Sequence, residues 1–342
     1  IYGISSIVGR FINYLLVPLH TWFIDPKSGG YGIVTEMYAW MALLFVLLTF
    51  GMETTFFRFA GKEGENEQMV YSTTLRLVGM VGLIFLVLVF SFIGPIAGLL
   101  GYSTHPEYVK CFAIIVALDA FQAILFSRLR QQHRPVKFMI LKLSFIFLNV
   151  LLNVFIFWLM PKMFGSFPGL ENIYVKYNYG VGLIFFANLF CTFIVSFGFI
   201  KEIKGIFYGF DRQLARRMLS YALPLLLLGL VGILNQVFDK IAFKHILDDK
   251  EYAQVQLGIY GACCKIAMIL ALLTQAFRYA YEPLVFGGSK DKNSSETLAM
   301  GMKFFIIFGL LAYLAVMFYL PILKYLITDR NYWSGLGVVP IV

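Results

Sequence analysis

The sequence predicts an all-α polytopic membrane protein. Residues 77–106, 177–200 and 304–323 contain no Asp, Glu, Lys or Arg at all. Over the whole chain, 60% of the residues are hydrophobic and only 14% are charged, whereas an ordinary soluble domain carries about 25% charged residues. The apolar runs are separated by short polar segments rich in Gly, Pro and Ser. Together these features indicate helices that cross a bilayer and are joined by short loops.

A membrane-spanning helix needs about 20 mostly apolar residues. Nine segments of the chain meet this requirement, and a tenth is expected to begin near Tyr332. The predicted spans are 4–24, 31–57, 77–100, 107–127, 138–160, 179–200, 218–244, 256–286 and 304–327.

The distribution of Lys and Arg predicts the orientation of these spans. Loops that follow even-numbered spans carry more Lys and Arg than loops on the opposite side, and basic loops face the cytoplasm. This count places Arg76 and Lys142 in cytoplasmic loops and Lys244 in an outer loop. We therefore expect a multi-pass membrane protein with a cytoplasmic amino terminus. The basic segment 128–142 is explained as a topology signal, or alternatively as a contact with anionic lipid headgroups.

The composition argues against several classes of function. The net charge of +9 could suggest a nucleic-acid partner, but the basic residues cluster in the short loops of a membrane protein, so no nucleic acid is expected. No predicted loop is longer than about 20 residues, which leaves no room for a soluble catalytic domain. Phosphate-binding loops, His-Glu-x-x-His and Cys-x-x-Cys are absent from the sequence. We therefore expect neither an enzyme, nor a metal site, nor an organic cofactor.

Charged residues within the apolar runs indicate a function at membrane depth. An ionisable side chain in the bilayer core costs roughly 2.5 kcal/mol or more unless a partner or water meets it. The chain nevertheless places several of them there, and Glu53 lies near the cytoplasmic end of span two, beside Arg58, where an interfacial position is the simpler expectation. The embedded residues are Arg10, Asp119, Asp239, Lys240, Lys265, Arg278 and Glu282.

Some of these charges also have purely structural explanations. Arg10 can extend its charged head to the interface, and Arg278 and Glu282 are four residues apart and can pair on one helix. Asp239 and Lys240 are adjacent, so they should point about 100° apart on a helix and not face the same spot.

The remaining polar candidates have two interpretations each. A buried carboxylate such as Asp119 or Asp239 can bind a coupling H⁺ or Na⁺, or it can take part in a structural ion pair. Asn13 and Asn235 can donate hydrogen bonds to sugar hydroxyls, or they can hold neighbouring helices together.

A weak internal repeat divides the chain into two bundles. A shift of about 226 residues aligns span one with span seven, and Tyr31-Gly32 with the region of Gly258 and Tyr260-Gly261. Six spans precede the second copy, so the repeats have the same orientation and an axis along the membrane normal relates them. We predict one bundle in residues 1–210 and a second in residues 211–342. The repeat also predicts that the second bundle is incomplete in this sequence.

Several segments resemble bacterial polysaccharide-export flippases of the O-antigen type. These are Ser5-Ser6-Ile7-Val8-Gly9-Arg10-Phe11-Ile12-Asn13, Gly51-Met52-Glu53-Thr54-Thr55-Phe56-Phe57-Arg58-Phe59, Ala222-Leu223-Pro224-Leu225 with Asn235 and Asp239-Lys240, and Phe277-Arg278-Tyr279-Ala280-Tyr281-Glu282-Pro283. Asp-Arg is commoner in the family where this chain has Asp239-Lys240.

The resemblance implies the fold of the multidrug/oligosaccharidyl-lipid/polysaccharide (MOP) exporters, which includes the MATE-like transporters. That fold has two six-helix bundles around a central cavity. The implied substrate is a polyprenyl-diphosphate-linked oligosaccharide, with membrane lipids and polysaccharide polymerase or export proteins as candidate partners. The implied location is the bacterial inner membrane.

In the family plan, spans one, seven and eight line the cavity, where cations solvate a diphosphate. This implies a substrate site whose members are Arg10, Asn13, Asn235, Lys240, Lys265 and Arg278. Coupling or gating is then assigned to Glu53, Asp119, Asp239 and Glu282. The alternative function is a Na⁺- or H⁺-coupled antiporter of drugs or metabolites with the same fold.

Overall fold

This computed structural model describes residues 14, 16–287 and 294–342, and the side chains among them other than those of residues 168 and 271–298. Within these ranges the regular structure is helical throughout, with no strand. Among the described residues, seven helices are long and apolar enough to cross a membrane, or eight if one bent pair counts as a single span. The prediction of an all-α membrane protein is therefore confirmed.

Thirteen α-helices are present in the described part of the chain. The first seven are α1 Leu16–Phe23, α2 Gly30–Thr49, α3 Met52–Ala60, α4 Glu67–Ser91, α5 Ile93–Leu100, α6 Pro106–Gln131 and α7 Pro135–Val154. The others are α8 Pro168–Lys176, α9 Val181–Phe197, α10 Ile200–Ile203, α11 Arg212–Ile246, α12 Lys250–Gly287 and α13 Ser294–Leu323. Short 3₁₀ helices cover Pro26–Ser28, Met160–Met163, Lys204–Tyr208, Lys324–Leu326 and Arg330–Val338.

The helices form two compact units. The first contains residues 33–248, and the second contains the described residues of 6–32 and 249–342. These units are defined by contacts, whereas the predicted bundles 1–210 and 211–342 were defined by the repeat and the span count. The boundary between residues 210 and 211 therefore stays a prediction.

The first unit has its apolar core where α3, α4, α6, α9 and α11 meet. Phe56, Leu75, Leu125, Phe199 and Met218 are almost completely buried there. Lipid is as apolar as Leu, so burying apolar side chains does not by itself drive helices together in a bilayer. Close packing of shapes, as in this core, is what holds such helices in place.

Two capping residues extend helices beyond the predicted spans. Asn66 Oδ1 accepts hydrogen bonds from the backbone N–H groups of Gln68 (3.0 Å) and Met69 (3.2 Å), so α4 begins at Glu67 instead of residue 77. Asp211 Oδ1 accepts from the N–H groups of residues 213 and 214, so α11 begins at Arg212 instead of residue 218. Such caps satisfy N–H groups that would otherwise lack partners, which stabilises a start outside the apolar run.

Several assignments to loops and spans are therefore corrected. Arg76 lies within α4, where its Nε donates to the carbonyl of Ile206 (2.8 Å). Lys142 lies within α7 and Lys244 in the last turn of α11. The third predicted span, 77–100, is interrupted at Phe92 and continues as the separate helix α5.

Two further segments differ from the predicted spans. The tenth span was expected to begin near Tyr332, but Arg330–Val338 is a 3₁₀ helix in the structure. The sixth predicted span, 179–200, corresponds to α9, and the helix before it, α8, is bent by 97° relative to α9.

In the second unit, α12 approaches the first turn of α2 very closely. A Cβ atom on Gly32 would lie 2.0 Å from the carbonyl oxygen of Gln254, and one on Gly258 would lie 2.9 Å from the backbone N of Gly32. The buried Tyr332 donates its hydroxyl to the carbonyl of Ile24 (2.9 Å) in the same region. The two glycines that the repeat aligns thus lie against each other.

Glycine is also required where α9 meets α6, and this generates a stability prediction. A Cβ on Gly182 would lie 2.5 Å from the ring of the buried Tyr108. We expect Gly182→Ala to lower the free energy of unfolding by about 1–3 kcal/mol, because the rigid ring must move. Thermal unfolding in detergent measures this effect.

Gly94→Ala in α5 is the matched control, since a Cβ there meets nothing within 4 Å. The control should keep its unfolding temperature or gain slightly from better helix propensity. Equal behaviour of the two variants would contradict the close packing at Gly182.

Candidate functional site

A stripe of polar residues runs along the buried face of α9. Asn188, Thr192 and Ser196 are spaced four residues apart, which places them on one side of the helix. Asn188 and Thr192 are buried, and Ser196 Oγ donates to the Thr192 carbonyl (2.9 Å). The stripe lies within an apolar run of 24 residues, 177–200, so each of these polar groups needs a partner from the protein.

Helix α6 supplies the partners. Gln122 Nε2 donates to the Thr192 carbonyl (2.9 Å) and to Ser196 Oγ (2.9 Å). One turn earlier, Asp119 Oδ1 accepts a longer hydrogen bond from Thr192 Oγ1 (3.4 Å). Asp119 is therefore fixed opposite the middle of the stripe.

A cation from α7 completes this cluster. Lys142 lies near enough to Asp119 to interact with it electrostatically, although the two side chains form no direct ion pair, and Lys142 Nζ lies 4.3 Å from the centre of the Phe126 ring. An aromatic face attracts a cation through the ring quadrupole. Lys142 thus places a positive charge near Asp119 at membrane depth.

The other end of the stripe reaches α2. Asn188 Nδ2 donates to the hydroxyl of Tyr38 (2.8 Å), while Asn188 Oδ1 is buried without a partner. Tyr38 and Phe112 pack edge to face with ring centres 5.7 Å apart. The cluster therefore combines a carboxylate, hydroxyl and amide oxygens, one lysine and aromatic rings.

This cluster allows the negative charge of Asp119 to be neutralised in more than one way. Asp119 can be neutralised by Lys142, by a proton, or by a monovalent cation held by oxygen atoms. In the part of the chain that the structure describes, no three His, Cys, Asp or Glu side chains come together to hold a metal ion. Sequence analysis named Asp119 but missed Lys142, because Lys142 was assigned to a loop, and it overlooked the spacing of the α9 stripe, which the sequence contains.

Charged residues at the predicted cytoplasmic end are paired with one another. Glu53 Oε2 accepts from Arg130 Nη2 (2.9 Å), so its ion-pair partner is Arg130 and not the neighbouring Arg58. Arg128 pairs with Glu67, and Lys137 Nζ donates to Glu202 Oε2 (2.7 Å). These pairs connect α3, α4, α6, α7 and α10.

The structure brings Asp239 and Lys240 into direct contact, which corrects one expectation. Lys240 Nζ lies 2.8 Å from Asp239 Oδ2 and donates to the carbonyl of Gln236 (3.0 Å). Their Cβ directions differ by about 100°, but the long, flexible lysine side chain folds back across that angle. The conclusion that they cannot face the same spot was therefore wrong.

The remaining predicted site residues are described less fully. Asn235 is exposed on α11, and Lys265 is half-buried on α12. Arg278 and Glu282 fall within α12, but their side chains lie outside the described ones, and Arg10 and Asn13 lie outside the described residues. Their assignment to a substrate or coupling site stays a prediction.

Comparison with known proteins bears on family and fold. A family model described as "Polysaccharide biosynthesis protein" matches residues 1–280. Among solved structures, the chain is similar to the inward-facing conformation of a multidrug resistance MATE family transporter of the MOP superfamily. The identity is 15%, the TM-score is 0.69, and the alignment covers 98% of this chain and 76% of that chain. A search of curated proteins finds no match. The predicted MATE-like fold is therefore confirmed.

The cluster around Asp119 generates a test by double substitution. Lys142→Met should lower the free energy of unfolding by about 1–3 kcal/mol, because Asp119 loses its cation at membrane depth. Asp119→Asn combined with Lys142→Met should be less destabilising than the sum of the two single changes, by about 1 kcal/mol or more. Thermal unfolding of all four proteins in detergent measures this coupling.

Lys303→Met, at an exposed position on α13, is the matched control for loss of a lysine. It should not couple to Asp119→Asn. Strict additivity of Asp119→Asn and Lys142→Met would show that the two charges do not interact.

Proposed function

We propose a transport function, starting from the premise that the chain belongs to the polysaccharide biosynthesis protein family. The chain moves a polyprenyl-diphosphate-linked oligosaccharide from the cytoplasmic leaflet to the outer leaflet by alternating access. The observation that carries this proposal is the combination of that family with a MATE-like helical membrane fold. A polysaccharide pathway with a membrane step needs its polar intermediates to cross hydrocarbon, and this fold suits that task.

The physical difficulty of the reaction lies in the headgroup. The polyprenyl tail can stay in lipid, whereas the diphosphate and the sugars lose their hydration on the way across. Fixed cations at membrane depth replace part of that hydration, and a guanidinium group binds phosphate oxygens in pairs. We assign this role to Arg10, Lys265 and Arg278, with Lys240 available once it leaves Asp239. Asn13 and Asn235 are proposed to bind sugar hydroxyls.

Asp119 is the proposed coupling carboxylate. A proton or Na⁺ that reaches it would remove its attraction for the nearby Lys142, and this loss would change how α6, α7 and α9 pack. The hydroxyl of Thr192 and the unpartnered amide oxygen of Asn188 provide the polar surroundings that such an exchange needs. In this scheme Glu53 and Asp239 have gating roles through their ion pairs with Arg130 and Lys240. Glu282 is assigned a gating role with them.

The setting we propose is the bacterial inner membrane, with the amino terminus in the cytoplasm. Polysaccharide polymerase and export proteins are the proposed partners in that membrane. The driving force is a gradient of H⁺ or Na⁺, and the activity requires neither an organic cofactor nor a chemical reaction.

A second candidate function is a Na⁺- or H⁺-coupled antiporter of drugs or metabolites. It is favoured by one specific observation, the acidic and aromatic environment that Asp119, Tyr38 and Phe112 provide. A cationic drug would be attracted by such a site, whereas a diphosphate would be repelled by its carboxylate.

A leaflet assay in liposomes distinguishes the two functions. Fluorescent polyprenyl-diphosphate-oligosaccharide is incorporated with the protein, and its movement between leaflets is followed with and without a gradient of H⁺ or Na⁺. We expect movement that depends on the protein and is accelerated by one of the two gradients. Efflux of a small cationic dye without lipid movement would instead support the antiporter.

The proposed cation site is tested by single substitutions. Arg10→Ala and Arg278→Ala should each reduce lipid movement at least tenfold without loss of protein, because the diphosphate loses a bidentate partner. Lys303→Ala, at an exposed position on α13, is the matched control and should leave the rate unchanged. Wild-type rates in both arginine variants would exclude a role for these cations.

A further inference from the structure

Glu36 and Lys244 form a buried ion pair at the carboxyl end of α11. Lys244 Nζ lies 2.5 Å from Glu36 Oε2, and the two side chains retain only 13% and 4% of their exposure. The hydroxyl of Tyr102 donates to the same carboxylate oxygen (2.5 Å). The Glu36 carboxylate of α2 therefore forms an ion pair with Lys244 and accepts a hydrogen bond from Tyr102.

The same lysine also holds the segment that follows α5. Its Nζ donates to the carbonyl of Leu100 (3.4 Å) and to the hydroxyl of Tyr102 (3.2 Å), and it lies 4.4 Å from the centre of the Tyr102 ring. Three segments that are distant in the sequence thus meet at one charged group. Sequence analysis missed the group because Lys244 was assigned to a loop and Glu36 was not recognised as embedded.

The amino-terminal half of α11 is held in a different way. Leu214, Met218 and Ala222 are buried against the core of the first unit. The packing is so close at Gly51 that a Cβ there would lie 2.8 Å from the Cβ of Leu225. This half is anchored by shape and apolar contact, which do not depend on any charge.

Between its two ends, α11 leaves much of its surface uncovered. Leu228, Val231 and Phe238 are 71%, 70% and 63% exposed. Pro224 lies at the start of this section, within the continuous helix Arg212–Ile246. A proline inside a helix removes one backbone hydrogen bond and is a common position of bending.

We propose that the Glu36–Lys244 pair is a lock that keeps the carboxyl end of α11 against α2, and that the lock opens in each transport cycle. The inference rests on the alternating access proposed above. When the pair separates, the section beyond Pro224 can swing while the anchored half stays in place. In the predicted orientation, Glu36 and Lys244 lie near the outer surface, so the lock closes the outer side.

A buried pair suits a lock for a physical reason. Together the two charges are satisfied, but each one alone at membrane depth is strongly disfavoured until water or another ion reaches it. The lock is therefore either closed or fully open, with few intermediate states, which is the behaviour that a gate requires. The hydroxyl of Tyr102 adds a smaller contribution to the closed state.

The test uses thiol accessibility in lipid nanodiscs and needs no transport substrate. Val237 is 7% exposed and lies two turns before Lys244 on the same face of α11. The reporter is Val237→Cys, and the rate of its reaction with a water-soluble maleimide is measured. The four native cysteines are all buried, and the parent protein gives their background.

Loss of either charge should open the lock. We expect Glu36→Gln and Lys244→Gln each to raise the labelling rate of the Val237→Cys reporter at least tenfold. Tyr102→Phe, which keeps the ion pair, should raise the rate about threefold. The exchange of charges in Glu36→Lys/Lys244→Glu should return the rate to within about threefold of the parent.

A second reporter, Met218→Cys, is the matched control because Met218 is fully buried in the anchored half. Its rate should stay unchanged in all variants. Unchanged labelling of the Val237→Cys reporter in the charge variants would overturn the lock. An equal rise at both reporters would also overturn it, by showing that the pair merely stabilises the whole unit. If a single charge variant fails to fold, Tyr102→Phe and the charge exchange give the same decision.

These results are independent of the substrate assignment. A lock that opens as expected, together with no movement of the lipid-linked oligosaccharide in liposomes, would keep the gate and exclude the proposed substrate. Movement of the lipid-linked oligosaccharide, without any change in the labelling of the Val237→Cys reporter in the charge variants, would support the proposed substrate and exclude the lock.

Discussion

The hydrocarbon core of a bilayer offers no hydrogen-bond partner, and the arrangement of this protein depends on that constraint. Every polar group at membrane depth must be satisfied by the chain itself. The α9 stripe bonds to Gln122 and Asp119, and Lys244 forms an ion pair with Glu36. These polar contacts join particular helices, and the close packing of apolar side chains around them holds those helices in place.

The constraint also explains which parts of the structure could be predicted from the sequence. Apolar runs of sufficient length must be helical in a bilayer, so the class of fold followed directly. Helix ends did not, because α4 and α11 begin at the caps Asn66 and Asp211, outside their apolar runs. Lys142 and Lys244 were counted with the loops, and the acidic residues that they interact with, Asp119 and Glu36, come from other helices. Which helices become neighbours is decided by three-dimensional packing, which a local pattern does not encode.

The described ion pairs fall into two groups that differ in exposure. Glu53, Glu67 and Glu202 pair with arginines and lysines near the predicted cytoplasmic surface, and in each pair at least one side chain is partly exposed to water, which weakens the pair. The pair of Glu36 with Lys244 is buried, so separation of its charges is costly. A buried pair resists small fluctuations but gives way when a competing ion replaces one partner. In the function proposed above, an anionic headgroup and a coupling cation are the two ligands that compete for such charges.

The central claim is that the chain recognises a lipid diphosphate by means of cations fixed at membrane depth. The most direct measurement is native mass spectrometry of the purified protein with an equimolar mixture of polyprenyl-diphosphate-oligosaccharide and the monophosphate of the same polyprenol. Our account predicts at least about tenfold preference for the diphosphate lipid, which is a difference of about 1.4 kcal/mol in binding free energy. Equal binding of the two lipids, or binding of neither, would contradict it.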